Sequence, residues 1–144
     1  MSYKKLLQIL NFQPKENSSG IFLKKYANSY AIEVDIENQM FHYGGKIKIQ
    51  GKKSQKITKP EDWVVFECVN RLLEKGYKPE NIVLEKVYPS GHGTSGRLDI
   101  CVNREDGSEY LLIECKTYGQ EFSRAFNKLT KDGGQLFTYF KFGN

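Results

Sequence analysis

The chain has 144 residues and a formal net charge of +5, with 39% hydrophobic and 27% charged residues. This length suits one domain with its own core, and the composition is too apolar for a disordered chain. No apolar run approaches the length of a membrane span, and the N-terminus is too short and polar for a signal peptide. The three cysteines are widely spaced in apolar segments, which predicts reduced core thiols in a cytoplasmic protein.

Positive charge is concentrated in the N-terminal part of the chain. Residues 1–60 carry eleven lysines against four acids, whereas residues 61–144 carry eleven basic and thirteen acidic side chains. Six lysines fall in one acid-free stretch: Lys46, Lys48, Lys52, Lys53, Lys56 and Lys59. Such a patch suits the phosphates of DNA, and we predict Lys46, Lys48, Lys52 and Lys53 as DNA-binding residues. Lysines that guard an exposed strand edge explain the pattern equally well.

The first 57 residues predict a β-rich section that packs on the later core. Residues 3–12 suit a short amphipathic helix. Candidate strands follow, separated by turn-prone pairs of residues, at 22–26, 30–36, 40–43 and 46–50.

A longer helix is predicted from Pro60 to Lys75. The segment from Thr58 to Glu61 has the pattern of a capping box at its start. Apolar residues cover most of its circumference, so we expect it to be substantially buried. Glu67 lies within that apolar run, either on a narrow solvent-facing stripe or aimed into a site. General burial preferences favour the stripe.

A glycine-rich loop follows the next predicted strand, at residues 82–88. Residues 91–96 match the pattern G-x-G-x-x-G. A strand follows this loop, whereas a dinucleotide site needs a helix there to hold the pyrophosphate. No Walker A sequence is present either, so we expect no ATP site in this chain.

Two apolar strands joined by an Asp106-Gly107 turn carry the most informative residues. The first, residues 97–102, has Asp99 in its middle, and the second, residues 110–116, ends in Glu114-Cys115-Lys116. Side chains alternate along a strand, so Glu114 and Lys116 should face the same way. Burying such charges is costly unless they pair or hold a metal. The hairpin therefore predicts a metal site, with a simple ion-pair cluster as the alternative.

An Asp and a Glu on neighbouring strands can jointly hold Mg²⁺, for which Mn²⁺ is a substitute, and the main-chain carbonyl of Cys115 is placed to be a further ligand. A bound metal lowers the pKa of a water and stabilises charge on a scissile phosphate. Lys116 could orient or help deprotonate the attacking water, or offset the charge of the phosphate. These groups predict phosphodiester hydrolysis, with the basic section holding the nucleic acid.

The C-terminal part predicts a helix over residues 120–131 and a second helix starting at Gln135. Gln135 and Tyr139 are four residues apart and so share one face of that helix. The chain ends shortly after it, and we expect the sequence to be a fragment of a longer protein.

Together, these segments resemble the PD-(D/E)xK nuclease superfamily, most of all the N-terminal nuclease domain of the R subunit of type I restriction enzymes. The resemblance covers roughly residues 58–140 and includes Gly96-Arg97-Leu98-Asp99-Ile100 and Leu112-Ile113-Glu114-Cys115-Lys116. It implies that Asp99 and Glu114 bind Mg²⁺ and that Lys116 assists the water. It also implies that Glu67 completes the metal site and that Gln135 and Tyr139 lie beside it. Leu98 replaces the proline that names the motif, a departure common in the superfamily.

The resemblance also implies a fold and a function. The expected fold is a restriction-endonuclease-like α/β domain, in which helices flank a central mixed sheet. Residues 1–57 form its basic β-rich addition and residues 58–144 its catalytic core. The expected function is Mg²⁺-dependent cleavage of double-stranded DNA, in a complex with modification and specificity subunits. The alternatives are a non-catalytic nucleic-acid-binding module with this fold, or another nuclease of the superfamily that acts in repair or junction resolution.

Overall fold

The computed structural model describes residues 2–51, 55–89 and 96–132. Its helices are α1 (Tyr3–Ile9), α2 (Pro60–Glu74) and α3 (Gln120–Asp132). Its strands are β1 (Gln13–Pro14), β2 (Ile21–Lys25), β3 (Ala31–Asp35), β4 (Met40–His42), β5 (Lys48–Ile49), β6 (Ile82–Tyr88), β7 (Gly96–Asn103) and β8 (Glu109–Ile113). This is the predicted α/β fold with a β-rich N-terminal region. None of the described helices is long and apolar enough to cross a membrane.

The strands form two four-stranded sheets. The N-terminal sheet has the order β1-β2-β3-β4, and all its neighbouring strands are antiparallel. The second sheet has the order β5-β6-β7-β8, with β5 parallel to β6 and the other pairs antiparallel. It is the mixed sheet predicted for the core, and it carries the D…ExK hairpin.

Helix α2 packs against both sheets through one hydrophobic core. Phe66 of α2 is fully buried and stacks on Phe41 of β4 at 4.4 Å between ring centroids. The same core includes buried side chains of both sheets, namely Ile32 and Val34 from the first and Ile82, Leu84, Ile100 and Val102 from the second. Burial of this kind contributes about 25 cal/mol per Å² of apolar surface, so it is what fixes α2 in place over the second sheet.

The opposite face of the second sheet carries a smaller apolar cluster. Val83, Tyr88, Leu98 and Cys101 are buried there, with Leu112 packed against them. The sheet is therefore apolar on both faces, which explains why its strands have nearly continuous apolar sequences.

Helix α2 begins at Pro60, as predicted, but its capping box lies one residue later than the sequence pattern indicated. Lys59 is the N-cap residue, and the carboxylate of Asp62 accepts hydrogen bonds from the backbone N–H groups of Thr58 and Lys59, at 2.8 and 2.9 Å. Asp62, and not Glu61, thus accepts the hydrogen bonds of the backbone N–H groups that lead into the helix. Glu61 remains available for contacts elsewhere.

Strand β8 ends at Ile113, three residues before the end predicted from its apolar pattern. The Glu114-Cys115-Lys116 segment therefore lies just beyond the last strand position. The turn before β8 agrees with the prediction, because Gly107 adopts a φ of 84° and the backbone N–H of Arg104 donates to the carbonyl of Ser108 at 2.7 Å. Glycine tolerates this left-handed conformation at little cost.

Candidate metal-dependent nuclease site

Asp99, Glu114 and Lys116 lie close together where the chain leaves β8. The backbone N–H of Cys115 donates to Oδ2 of Asp99 at 2.7 Å. The Lys116 ammonium lies 2.9 Å from Oε1 of Glu114 and donates a hydrogen bond to it. The hairpin thus brings together the three residues on which the predicted chemistry depends, although Glu114 and Lys116 are outside the strand.

Burial disfavours the charged forms of both carboxylates. Burial raises the pKa of Asp99 above its usual value, against the lowering effects of the Cys115 N–H and the Lys116 charge. Burial also raises the pKa of Glu114, where the hydrogen bond from Lys116 acts in the opposite direction and the charge of Asp99 adds to the rise. A divalent cation near both carboxylates would stabilise their charged forms, which the protein alone disfavours.

Lys116 is held in its protonated form. Burial alone would lower its pKa, but the hydrogen bond to Glu114 and the charges of Glu114, Glu61 and Asp99 together raise it. A raised pKa makes Lys116 a hydrogen-bond donor and a positive charge at neutral pH. The geometry therefore favours the orienting role of this lysine over the deprotonating one.

One oxygen of Glu114 has chemistry that fits a metal. Its side chain is only 10% exposed, and among the described residues no group hydrogen-bonds to its buried Oε2. Within residues 2–51, 55–89 and 96–132, no three His, Cys, Asp or Glu side chains form a group that could hold a metal ion. A site with fewer than three side-chain ligands still suits Mg²⁺, because this ion commonly keeps several waters and binds one or two carboxylates together with substrate phosphates.

Glu61, in the first turn of α2, is a site residue that sequence reasoning missed. Its charge contributes to the raised pKa values of Asp99, Glu114 and Lys116. Its carboxylate also pairs with the ammonium of Lys59 at 2.8 Å. Its position in the first turn of a helix was visible in the sequence, but the capping pattern assigned that carboxylate to the backbone.

Glu67 lies apart from these residues. It forms an ion pair with Arg71 one turn further along α2, and its side chain is 31% exposed. It borders a surface groove that also contains Leu10 of the α1 C-cap, away from β7. The structure thus places Glu67 on the solvent-facing stripe, and the glutamate of this helix that acts on Asp99 is Glu61.

Cys115 anchors the Glu114–Lys116 segment to α2. Its side chain is 4% exposed, and its thiol is hydrogen-bonded to that of Cys68 on α2. This hydrogen bond and burial raise the pKa of Cys115, so it remains a neutral thiol. Its sulfur therefore has a packing role, and the predicted ligand remains the main-chain carbonyl.

The basic stretch comes next to Asp99 at its C-terminal end. Asp99 borders a cavity of about 60 Å³ that is also lined by Lys56 and by Asp62 of α2. Lys46 and Lys48 are exposed, and Lys48 belongs to β5, an edge strand of its sheet. Both interpretations of these lysines, DNA binding and edge protection, are consistent with that position. Lys52, Lys53, Gln135 and Tyr139 lie outside the described residues.

Comparison with known proteins supplies a family. Residues 60–132, just over half of the chain, match the family described as type I restriction enzyme R protein N terminus. The matched stretch runs from the first residue of α2 to the last of α3 and contains Asp99, Glu114 and Lys116. A search of curated proteins found no match.

Proposed function

Since the chain belongs to the family of type I restriction enzyme R protein N-termini, we propose that it is a metal-dependent endonuclease domain that hydrolyses phosphodiester bonds of double-stranded DNA. The observation that carries the proposal is the meeting of Asp99 and Glu114 beside the protonated Lys116, with one Glu114 oxygen buried and without a described hydrogen-bond donor. Buried carboxylate oxygens of purely structural ion pairs are mostly hydrogen-bonded.

Asp99, Glu114 and the main-chain carbonyl of Cys115 would hold the Mg²⁺ ion or its Mn²⁺ substitute. When bound, the ion would supply an acidified water and stabilise charge on the phosphate. Glu61 is the third carboxylate of the neighbourhood, and it takes the place that the family resemblance assigned to Glu67. We expect it to act through water, because the described residues contain no closely packed group of three ligands.

The other groups of the site orient the reactants. The Cys115 N–H holds one oxygen of Asp99, so the carboxylate cannot rotate freely. Lys116 offers a fixed positive charge to the scissile phosphate or a hydrogen bond to the attacking water. Burial of Glu114 lowers the local dielectric constant and so strengthens both interactions.

DNA is held by the basic section in this proposal. Lys56 borders the Asp99 cavity, and the exposed Lys46 and Lys48 precede it in the chain. Lysine contacts to phosphates give affinity without reading the bases. Sequence recognition is accordingly assigned to the specificity subunit of a restriction complex, whose modification subunit is a further proposed partner.

Nicking of supercoiled plasmid by the purified protein tests the proposal. We expect nicking with Mg²⁺ or Mn²⁺, none with EDTA, and a loss of at least about 100-fold in Asp99→Asn, because one ligand charge is removed. Asparagine still accepts a hydrogen bond from Cys115, so this variant controls for folding. Nicking by Asp99→Asn at the wild-type rate would contradict the mechanism. Tight, metal-independent DNA binding without nicking, unchanged by Glu114→Ala, would favour the non-catalytic binding module.

A further inference from the structure

In β6 and in β7 the alternation of side chains between the two faces of the sheet is interrupted, and the two interruptions lie opposite each other in the strand pairing. On β6, Leu84 belongs to the α2-side core, whereas Lys86 contacts Cys101 and stands over the ring of Tyr88 on the other face. On β7, Ile100 belongs to the α2-side core and Leu98 to the opposite cluster. Residues two apart in a regular strand share a face. Strand β6 is therefore irregular between Leu84 and Lys86, and β7 between Leu98 and Ile100.

The interruptions fall on Glu85 and Asp99. Leu84 pairs with Ile100 and Lys86 with Leu98, which leaves Glu85 and Asp99 opposite each other in the register. Glu85 has a φ of +51°, and among the described residues it is the only non-glycine residue within a β-strand that has a positive φ. Residues other than glycine adopt this left-handed conformation at a cost, and such strain is often found at functional sites.

The consequence of these interruptions is the direction of Asp99. In a regular strand Asp99 would face away from Ile100, and so away from α2. Instead, Asp99 and Glu85 both line the cavity that α2 borders through Asp62 and Val65. The Glu85 side chain also packs closely under Gly51, since a Cβ on Gly51 would lie 2.9 Å from the Cβ of Glu85. The left-handed residue is thus packed in place from the β5 side.

We propose that Glu85 is a positioning residue whose left-handed backbone turns Asp99 into the cavity on the α2 side of the sheet. The catalytic part of this inference rests on the proposed function, because it treats Asp99 as a metal ligand. The structural part, the change of face in β6 and β7, does not depend on it. The required property of Glu85 is its φ angle, and its charge is secondary.

Substitutions that separate φ from charge test the proposal, with Mn²⁺ affinity measured by calorimetry as the readout. Glu85→Gly and Glu85→Asn tolerate a positive φ and lack the charge, and we expect both to bind Mn²⁺ within about threefold of wild type. Glu85→Val is β-branched and resists a positive φ, so we expect its affinity to fall at least about tenfold. Asp99→Asn is the reference for removal of a ligand. If Glu85→Val does not fold, Glu85→Ala replaces it, with a smaller loss expected.

Two results would overturn the inference. One is Glu85→Val binding Mn²⁺ as tightly as wild type, which would make the conformation irrelevant. The other is Glu85→Gly and Glu85→Asn both losing as much affinity as Asp99→Asn, which would show that the carboxylate is what matters. If wild type binds no Mn²⁺, the proposed function fails, and methyl NOEs then decide the structural part. NOEs from Leu98 to Val83, Tyr88 or Cys101 should be present in wild type and absent from the valine variant, and their persistence there would refute it.

Discussion

The backbone N–H of Cys115 donates to Oδ2 of Asp99 at 2.7 Å, which joins the middle residue of the ExK segment to the middle of β7. The β7–β8 ladder has already ended at Ile113, so this side-chain contact extends the pairing where regular strand bonds stop. The same carboxylate therefore has a structural partner in the backbone and a proposed functional partner in the metal.

This double role predicts different results for two substitutions of Asp99. Asp99→Ala leaves the Cys115 N–H without its acceptor and should lower the free energy of unfolding by about 1–3 kcal/mol. Asp99→Asn keeps an acceptor oxygen and removes the buried charge, so its stability in EDTA at neutral pH should equal or exceed that of wild type. Urea unfolding in EDTA measures both, and equal losses in the two variants would contradict the role of the hydrogen bond.

The raised pKa of Glu114 predicts how stability depends on pH. Because burial raises the pKa in the folded state, the protonated carboxyl favours folding. That contribution is fully present below the unfolded-state pKa and is lost as the pH rises through the folded-state value. Glu114→Gln does not ionise and so keeps this stability at every pH. In EDTA its Tm should match that of wild type near about pH 4 and exceed it at neutral pH. The difference should be roughly 2–4 °C for each kcal/mol of stability that wild type loses when Glu114 ionises. A Tm difference that does not change with pH would be inconsistent with this account, and saturating Mg²⁺ should reduce the difference.

Glu61 and Glu67 form a matched pair on one helix. Glu61→Gln removes a charge that acts on Asp99 and Glu114, and we expect Mn²⁺ affinity and nicking to fall by about tenfold, the typical effect of losing a group that supports metal ligands. Glu67→Gln breaks only the exposed pair with Arg71, so we expect little effect on stability and no change in Mn²⁺ affinity or nicking. A larger loss of Mn²⁺ affinity and nicking in Glu67→Gln than in Glu61→Gln would support Glu67, and not Glu61, as the metal-site residue.

The lysines before α2 predict a salt-dependent contribution to DNA binding. Lys46→Glu with Lys48→Glu should weaken binding to plasmid-derived duplexes of any sequence and reduce the slope of log affinity against log salt by about 0.9 for each phosphate that the protein no longer neutralises. Lys4→Glu with Lys5→Glu on α1 changes the net charge equally and serves as the control. Equal effects of the two double variants would mean that net charge alone matters, and that Lys48 protects the β5 edge.

The elements of the core could be predicted because their signals are local. The apolar run from Trp63 to Leu73 indicates a buried helix, and the Asp106-Gly107 turn sets which residues of β7 and β8 face each other. That pairing brings Asp99 near the ExK segment, although the structure adds a register shift between Val102 and Asn103 that the sequence pattern does not indicate. The predicted end of β8 is three residues too late. The alternating pattern of side chains continues through Glu114, Cys115 and Lys116, but the hydrogen-bonded pairing with β7 stops at Ile113.

The sequence by itself therefore determined the α/β class, the hairpin and three charged residues of the candidate site, Asp99, Glu114 and Lys116. Only the tertiary structure decided which glutamate of α2 approaches that set, because Asp62 rather than Glu61 accepts the hydrogen bonds of the backbone N–H groups that lead into the helix and Glu67 pairs with Arg71. It also decided the direction of Asp99, through the left-handed backbone of Glu85 in the neighbouring strand. Both outcomes depend on contacts between segments that packing brings together, and such contacts cannot be predicted from the spacing of residues along the chain.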